Sequence, residues 1–227
     1  MNRLKKFPFN SDDILKFIAT FFMFIDHYGL YINGEPWLRV IGRLSFPLFA
    51  YLYGKHYKKP NSYMLQIGIL LVFVEYFYKG HIFLNVLVMF YLFGYLIKFY
   101  ENMKIGDKII LNVCFVIINP FVLKYLEYGV IGFYFMLIAK EKKLYQYLLV
   151  FFYYYFDQGL LFLNIEKNIF LFLILLTECF FTYKEKNINL KFDNLFIKFV
   201  ARYSLEIYAL QYIGFRIIFY INHLQNK

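Results

Sequence analysis

Cysteine is almost absent. The chain has 227 residues and two cysteines, Cys114 and Cys179, both inside apolar runs. Neither a disulfide framework nor a cysteine-built metal site follows from them, and no metal is expected. The chain also lacks internal repeats, low-complexity linkers and any soluble domain; its longest polar segment, about Tyr183 to Phe196, has ordinary loop length. No A-x-A-like cleavage site follows the basic residues Arg3, Lys5 and Lys6, and Asp26-His27 interrupts the first apolar run. The N-terminal segment is therefore expected to be a retained first span, not a cleaved signal. Acidic residues are scarce, 15 against 25 Lys and Arg, which gives a net charge of +10. In a soluble chain such a charge suggests nucleic acid. Here loop lysines that fix membrane orientation account for it, and no nucleic acid partner is expected.

Apolar side chains are what the sequence has in excess. They make up 61% of the residues, with a mean hydropathy of +0.51 and 25% aromatics. A soluble domain lies nearer 45–50% apolar. A spanning helix needs about 20 apolar residues, which predicts helices at 12–31, 39–55, 63–79, 81–100, 109–125, 127–140, 144–163, 168–184 and 196–221. At Asn119-Pro120 the proline can either kink a span or end it. The expected fold is all-α: a polytopic membrane bundle of about nine transmembrane helices, forming one domain over residues 1–227. Asn10-Ser11-Asp12-Asp13 offers side-chain oxygens and negative charge to the free N–H groups that open the first helix.

The lysines predict orientation. One side of the bundle carries Arg3, Lys5, Lys6, Lys55, Lys58, Lys59, Lys98, Lys104, Lys108, Lys140, Lys142, Lys143, Lys184, Lys186, Lys191 and Lys198. The other carries Arg39, Lys79, Lys124, Lys167 and Lys227. Sixteen against five puts the N-terminus in the cytoplasm.

Within this apolar chain the hairpin from Asp13 to Phe49 holds Lys16, Asp26, His27, Arg39 and Arg43. Each ionisable group in an apolar helix costs roughly 2.5–3.5 kcal/mol on insertion scales, so such groups point to function. Lys16 and His27 are eleven residues apart and share a helix face, about 16 Å apart along the axis. Lys16 can hold coenzyme phosphates or snorkel at a helix end; His27 can act as a general base or as a helix-to-helix hydrogen bond. Asp26 points about 100° away from His27 and reads first as an ion pair to Arg39 or Arg43. Arg43 shares a face with Arg39 one turn deeper and needs an oxygen partner. Pro47 opens the backbone and can expose a carbonyl. Gly29 reads as a close-packing position.

Further polar groups lie in the later spans: Glu75, Asn85, Glu178, Arg202, Glu206 and Arg216. Asn85 reads first as helix glue. Arg202 and Glu206, four residues apart, suit a helical ion pair. Arg216 has no partner near it in sequence; Glu75 and Glu178 are candidates. The patch Lys55-His56-Tyr57-Lys58-Lys59 can attract acidic lipid or coenzyme phosphates, though its orienting role already accounts for it.

Ile25-Asp26-His27-Tyr28-Gly29, followed by Leu38-Arg39-Val40-Ile41-Gly42-Arg43-Leu44-Ser45-Phe46-Pro47-Leu48-Phe49-Ala50, resembles the signature of the TraX family of bacterial membrane proteins. Leu84-Asn85-Val86-Leu87 leading to Gly94 is similar to its central helix. Glu127-Tyr128-Gly129 with Gly132 resembles its acidic-Tyr-Gly turn, where aspartate is more usual, and Ile207-Tyr208-Ala209-Leu210-Gln211 resembles its last span. The family's namesake N-acetylates conjugative pilin. The family also resembles a wider group that moves acyl groups from coenzyme A to sugars, whose first helix carries an aspartate, then an arginine three positions on, then ten residues and a histidine. Asp13, Lys16 and His27 fit that spacing, with lysine replacing the arginine. Gln211 stands where the family commonly has histidine.

The resemblance implies an acetyltransferase of the bacterial cytoplasmic membrane. Acetyl-CoA is the expected acyl donor, and a pilin N-terminus or a cell-envelope glycan the acceptor. His27, Arg43 and Asp26 are the expected catalytic residues; Lys16, Lys58 and Lys59 face the coenzyme; Arg39, Asn85, Glu127, Tyr208, Gln211 and Arg216 face the substrate. A proton-coupled small-molecule transporter and a non-catalytic assembly subunit are the alternatives, because buried ionisable groups also suit relays and partner contacts.

Overall fold

The computed structural model describes residues 10–122, 124–126, 128–141 and 194–225. The spans expected at 144–163 and 168–184, with Glu178 and Cys179, lie outside the described residues. The described elements are helical, apart from an isolated bridge between Leu84 and Leu126. The chain divides into two units, Met1–Leu52 with Leu163–Lys227, and Tyr53–Phe162.

In the first unit, α1 spans Ser11–Tyr28. Asn10 and Asp13 cap it reciprocally: Asp13 N donates to Asn10 Oδ1 at 2.9 Å, and Asn10 N donates to Asp13 Oδ2 at 3.1 Å. The helix continues through a π-helical turn, Gly29–Asn33, and stops at Gly34, whose φ of 72° is left-handed. The stretch Ser11–Asn33 is the one among the described residues long and apolar enough to cross a membrane.

The helix expected at 39–55 is instead two: α2, Pro36–Gly42, and α3, Ser45–His56. Pro47 explains the break. It has no N–H for the carbonyl of Arg43, four residues back. Phe46 N donates to that carbonyl instead, at 3.3 Å, so the backbone tightens there. The last helix, expected over 196–221, is also divided, into α8, Leu195–Arg202, and α9, Ser204–Gln225, with a break at Tyr203. No proline or glycine marks that break in the sequence.

Two glycines let α1 and α2 approach closely. A methyl group on Gly42 would lie inside the backbone of Asp26, and one on Gly29 would meet Leu38 Cβ at 2.7 Å. The close-packing expectation for Gly29 thus has a structural basis. Gly42→Ala is expected to force the two helices apart and lower stability by about 1–3 kcal/mol. Thermal unfolding in detergent measures this; a wild-type midpoint would count against the contact.

The second unit contains α4, Ser62–Lys79, α5, Val86–Glu101, α6, Ile105–Val122, and α7, Ile131–Glu141. The helix expected from residue 81 opens at Val86, because Gly80 ends α4 with a φ of 72° and Asn85 is the N-cap of α5. Asn85 Oδ1 accepts from Leu87 N at 3.0 Å and Val88 N at 3.3 Å, while its Nδ2 donates to Gly68 O on α4 at 2.8 Å. Asn85→Ala removes both the cap and the interhelical bond. It is expected to cost about 1–2 kcal/mol, read from denaturant unfolding; an unchanged midpoint would argue that the two helices hold together without it.

α6 runs through Pro120 and ends at Val122, short of the expected 125. Every residue of α7 from Ile131 to Ala139 is buried, whereas α6 exposes Ile105, Ile109, Ile110, Ile117 and Phe121. α7 is thus enclosed on all sides, with Phe133 set among Phe93, Tyr100 and Phe115.

Candidate functional site

His27 lies in the last turn of α1 and is buried, at 7% exposure. Residues from the π-helical turn and α9 surround its ring. Tyr31, Tyr208, Tyr212 and Phe215 have ring centroids 6.0, 5.9, 5.7 and 6.1 Å away. Gln211 Nε2 lies 3.3 Å from His27 Nδ1 across 184 residues of sequence. Tyr208, Gln211, Tyr212 and Phe215 repeat at helical spacing, so one face of α9 meets the imidazole.

Asp26 faces away from these rings toward α2. Its Oδ1 stands 3.6 Å from Nε of Arg39 and 3.6 Å from Nε of Arg43. These are charge contacts beyond hydrogen-bond range. The sequence offered either arginine as a partner; the structure brings both to the one carboxylate. Gly42 makes this possible, because its missing side chain allows α2 to lie against Asp26. Arg43 occupies the break between α2 and α3, so the backbone change at Pro47 also sets where its guanidinium emerges. Its freed carbonyl is engaged by Phe46 N.

Arg216 is buried on α9, with its guanidinium 4.7 Å from the ring centre of Tyr31 and 5.6 Å from that of Tyr212. Cation–π contact with two aromatic faces is a partner the sequence did not suggest. Of the carboxylates considered for it, Glu75 makes an ion pair with Lys79 at 2.5 Å.

The structure therefore brings together in the first unit Asp26, His27, Arg39, Arg43, Tyr208, Gln211 and Arg216. Lys16 is half-buried on α1, eleven residues before His27. Asp13, the other member of that spacing, is engaged in the α1 cap. Lys58 and Lys59 are exposed in the turn after α3 and, with Asn85, belong to the second unit. Glu127 lies outside the described residues. Beside it Tyr128 has φ 114°, an uncommon value for a residue with a side chain. Tyr31, Tyr212 and Phe215 were not anticipated. Tyr212 and Phe215 had a signal, the stripe they share with Tyr208 and Gln211; Tyr31 had a weaker one, four residues after His27.

Chemically, the arrangement offers one buried imidazole with an amide at Nδ1, aromatic rings around it, Arg39 and Arg43 on the neighbouring Asp26, and Arg216 over the Tyr31 ring. Such a site can move a proton at Nε2 and stabilise negative charge developing nearby.

No solved structure matches the chain. A protein of Rickettsia prowazekii (strain Madrid E), described as uncharacterized, is 33% identical over 96 residues. That stretch is 41% of this chain and 39% of the relative, so the chain spans well under half the length of the curated relative it matches. The family model described as TraX protein matches residues 11–224, nearly the whole sequence and every site residue named above. On that match the chain belongs to the TraX family.

Proposed function

We propose that this protein is a membrane-embedded acetyltransferase that moves an acetyl group from cytosolic acetyl-CoA to an amine or hydroxyl acceptor. The acceptor is a pilin N-terminus or a cell-envelope glycan. The protein sits in the bacterial inner membrane with about nine spans and a cytoplasmic N-terminus. The lysine bias between loops supports that orientation. Large apolar side chains open to the surroundings, such as Phe77 at 83%, Ile105 at 80% and Leu210 at 72% exposure, suit lipid contact.

The observation that carries the catalytic reading is the buried imidazole of His27, held against Gln211 beside the Asp26 ion pairs. In the proposed reaction the acceptor's nitrogen or oxygen attacks the thioester carbonyl carbon. Its proton passes to His27. The negative charge on the carbonyl oxygen is met by Arg43. The carbon–sulfur bond then breaks, and the proton returns to the departing thiolate. Lys16 provides positive charge for the coenzyme phosphates, and membership of the TraX family supports acyl transfer as the reaction class.

The test is incubation of purified protein with radiolabelled acetyl-CoA and candidate acceptors. Transfer of label, or slow hydrolysis without an acceptor, is expected. A protein that neither binds nor turns over acetyl-CoA, but drives solute flux in sealed vesicles, would be a transporter; one that does none of these would be an assembly subunit.

A further inference from the structure

We propose that Gln211 is the positioning residue of His27: it holds ring nitrogen Nδ1 and leaves Nε2 as the nitrogen that takes the acceptor's proton. This rests on the acetyl-transfer reading above. The contact joins the last helix to the first across 184 residues, with Gln211 Nε2 3.3 Å from His27 Nδ1. Aromatic rings flank the imidazole, with Tyr208 and Tyr212 on the same helix as Gln211 and Tyr31 one turn beyond His27. Ring walls limit how the imidazole can swing; the amide at Nδ1 leaves Nε2 as the open nitrogen.

The chemistry favours an amide at this place. A neutral imidazole has one N–H and one bare nitrogen, and an amide carries both donors and an acceptor. As it stands, the Gln211 NH₂ faces Nδ1 and can donate to it when that nitrogen is bare. A half-turn of the same group presents Oε1 to an Nδ1–H, the tautomer that a base acting through Nε2 requires. Nδ1–H then keeps its partner throughout. The acceptor's proton moves to Nε2 as its lone pair bonds to the acetyl carbon. The carbon–sulfur electron pair leaves with sulfur. The proton returns from Nε2 to give the free thiol. A leucine at position 211 would leave both tautomers and several ring orientations open, while a glutamate would hold Nδ1–H as an acceptor.

The experiment combines kinetics with ¹⁵N NMR of histidine-labelled full-length protein in detergent. The chain has four histidines, and the His27 signals are those lost in His27→Gln. Wild type should show a single His27 tautomer with the proton on Nδ1; a proton on Nε2 would overturn the inference. Gln211→Leu should show a mixture and lower kcat on the order of 100-fold, the cost of a misplaced catalytic group, with KM for acetyl-CoA nearly unchanged. Gln211→Glu should place the proton on Nδ1 and recover most of kcat, and it keeps the test decisive if the leucine variant does not fold. His27 signals identical in wild type and both variants, or wild-type kcat in Gln211→Leu, would overturn the inference. Wild type without acetyl transfer would instead overturn the reading it rests on, and the NMR arm would still decide the contact.

Discussion

Purified protein with glutamine in place of His27 is expected to keep its fold and lose acetyl transfer by roughly 10²–10⁴-fold, the usual contribution of a positioned general base. Glutamine is close to histidine in size and can still meet Gln211 by an amide–amide hydrogen bond, so the packing among Tyr31, Tyr208, Tyr212 and Phe215 survives. It cannot take up a proton. The loss should therefore fall on kcat, with KM for acetyl-CoA nearly constant, since the proposed phosphate contact at Lys16 is left as it was. Radiolabel transfer under saturating donor measures it. Full activity in His27→Gln would end the proposal that this imidazole is the base. A large rise in KM at unchanged kcat would reassign His27 to binding.

The hairpin could be read locally, whereas the closing contact could not. Asn10 and Asp13 stand three apart, so the α1 cap is written in four consecutive residues. Asp26, Arg39 and Arg43 lie within one helix–turn–helix, and charge alone suggested their pairing. Hydropathy, by contrast, reads 39–55 as one span. It is blind to the missing N–H of Pro47 that gives the carbonyl of Arg43 to Phe46. The break at Tyr203 has no local cause in the sequence at all. The Gln211 contact with His27 spans 184 residues, and no periodicity reports which face of the last helix meets the first. Sequence treated Gln211 as a departure from a family pattern; the structure gives it a neighbour. The same distance in sequence explains Arg216. Its partner, Tyr31, is an aromatic face, which leaves no charge signature in the sequence.

Asp26→Ala is expected to destabilise the protein by about 3 kcal/mol, the lower end of the range for breaking a buried ion pair. The carboxylate side chain is 10% exposed, and its two arginines keep 33% and 28% exposure. The guanidinium groups are thus only partly enclosed, which moderates the cost of leaving them without their carboxylate. The effect is shared between two pairs, so it can be divided. Arg39→Ala in the Asp26→Ala background should cost much less than Arg39→Ala alone, the signature of a direct coupling in a double-mutant cycle. Trp37, the single tryptophan of the chain, lies on α2, the helix that carries Arg39, and gives a fluorescence signal for unfolding in detergent. Asp26→Asn separates structure from chemistry: it preserves shape and removes charge. If the carboxylate only fastens the hairpin, stability and activity should fall together in Asn and Ala. A stable Asp26→Asn protein that has lost transfer would make Asp26 part of the reaction instead. An Asp26→Ala protein as stable as wild type would mean that Gly42 packing alone holds α2 against α1.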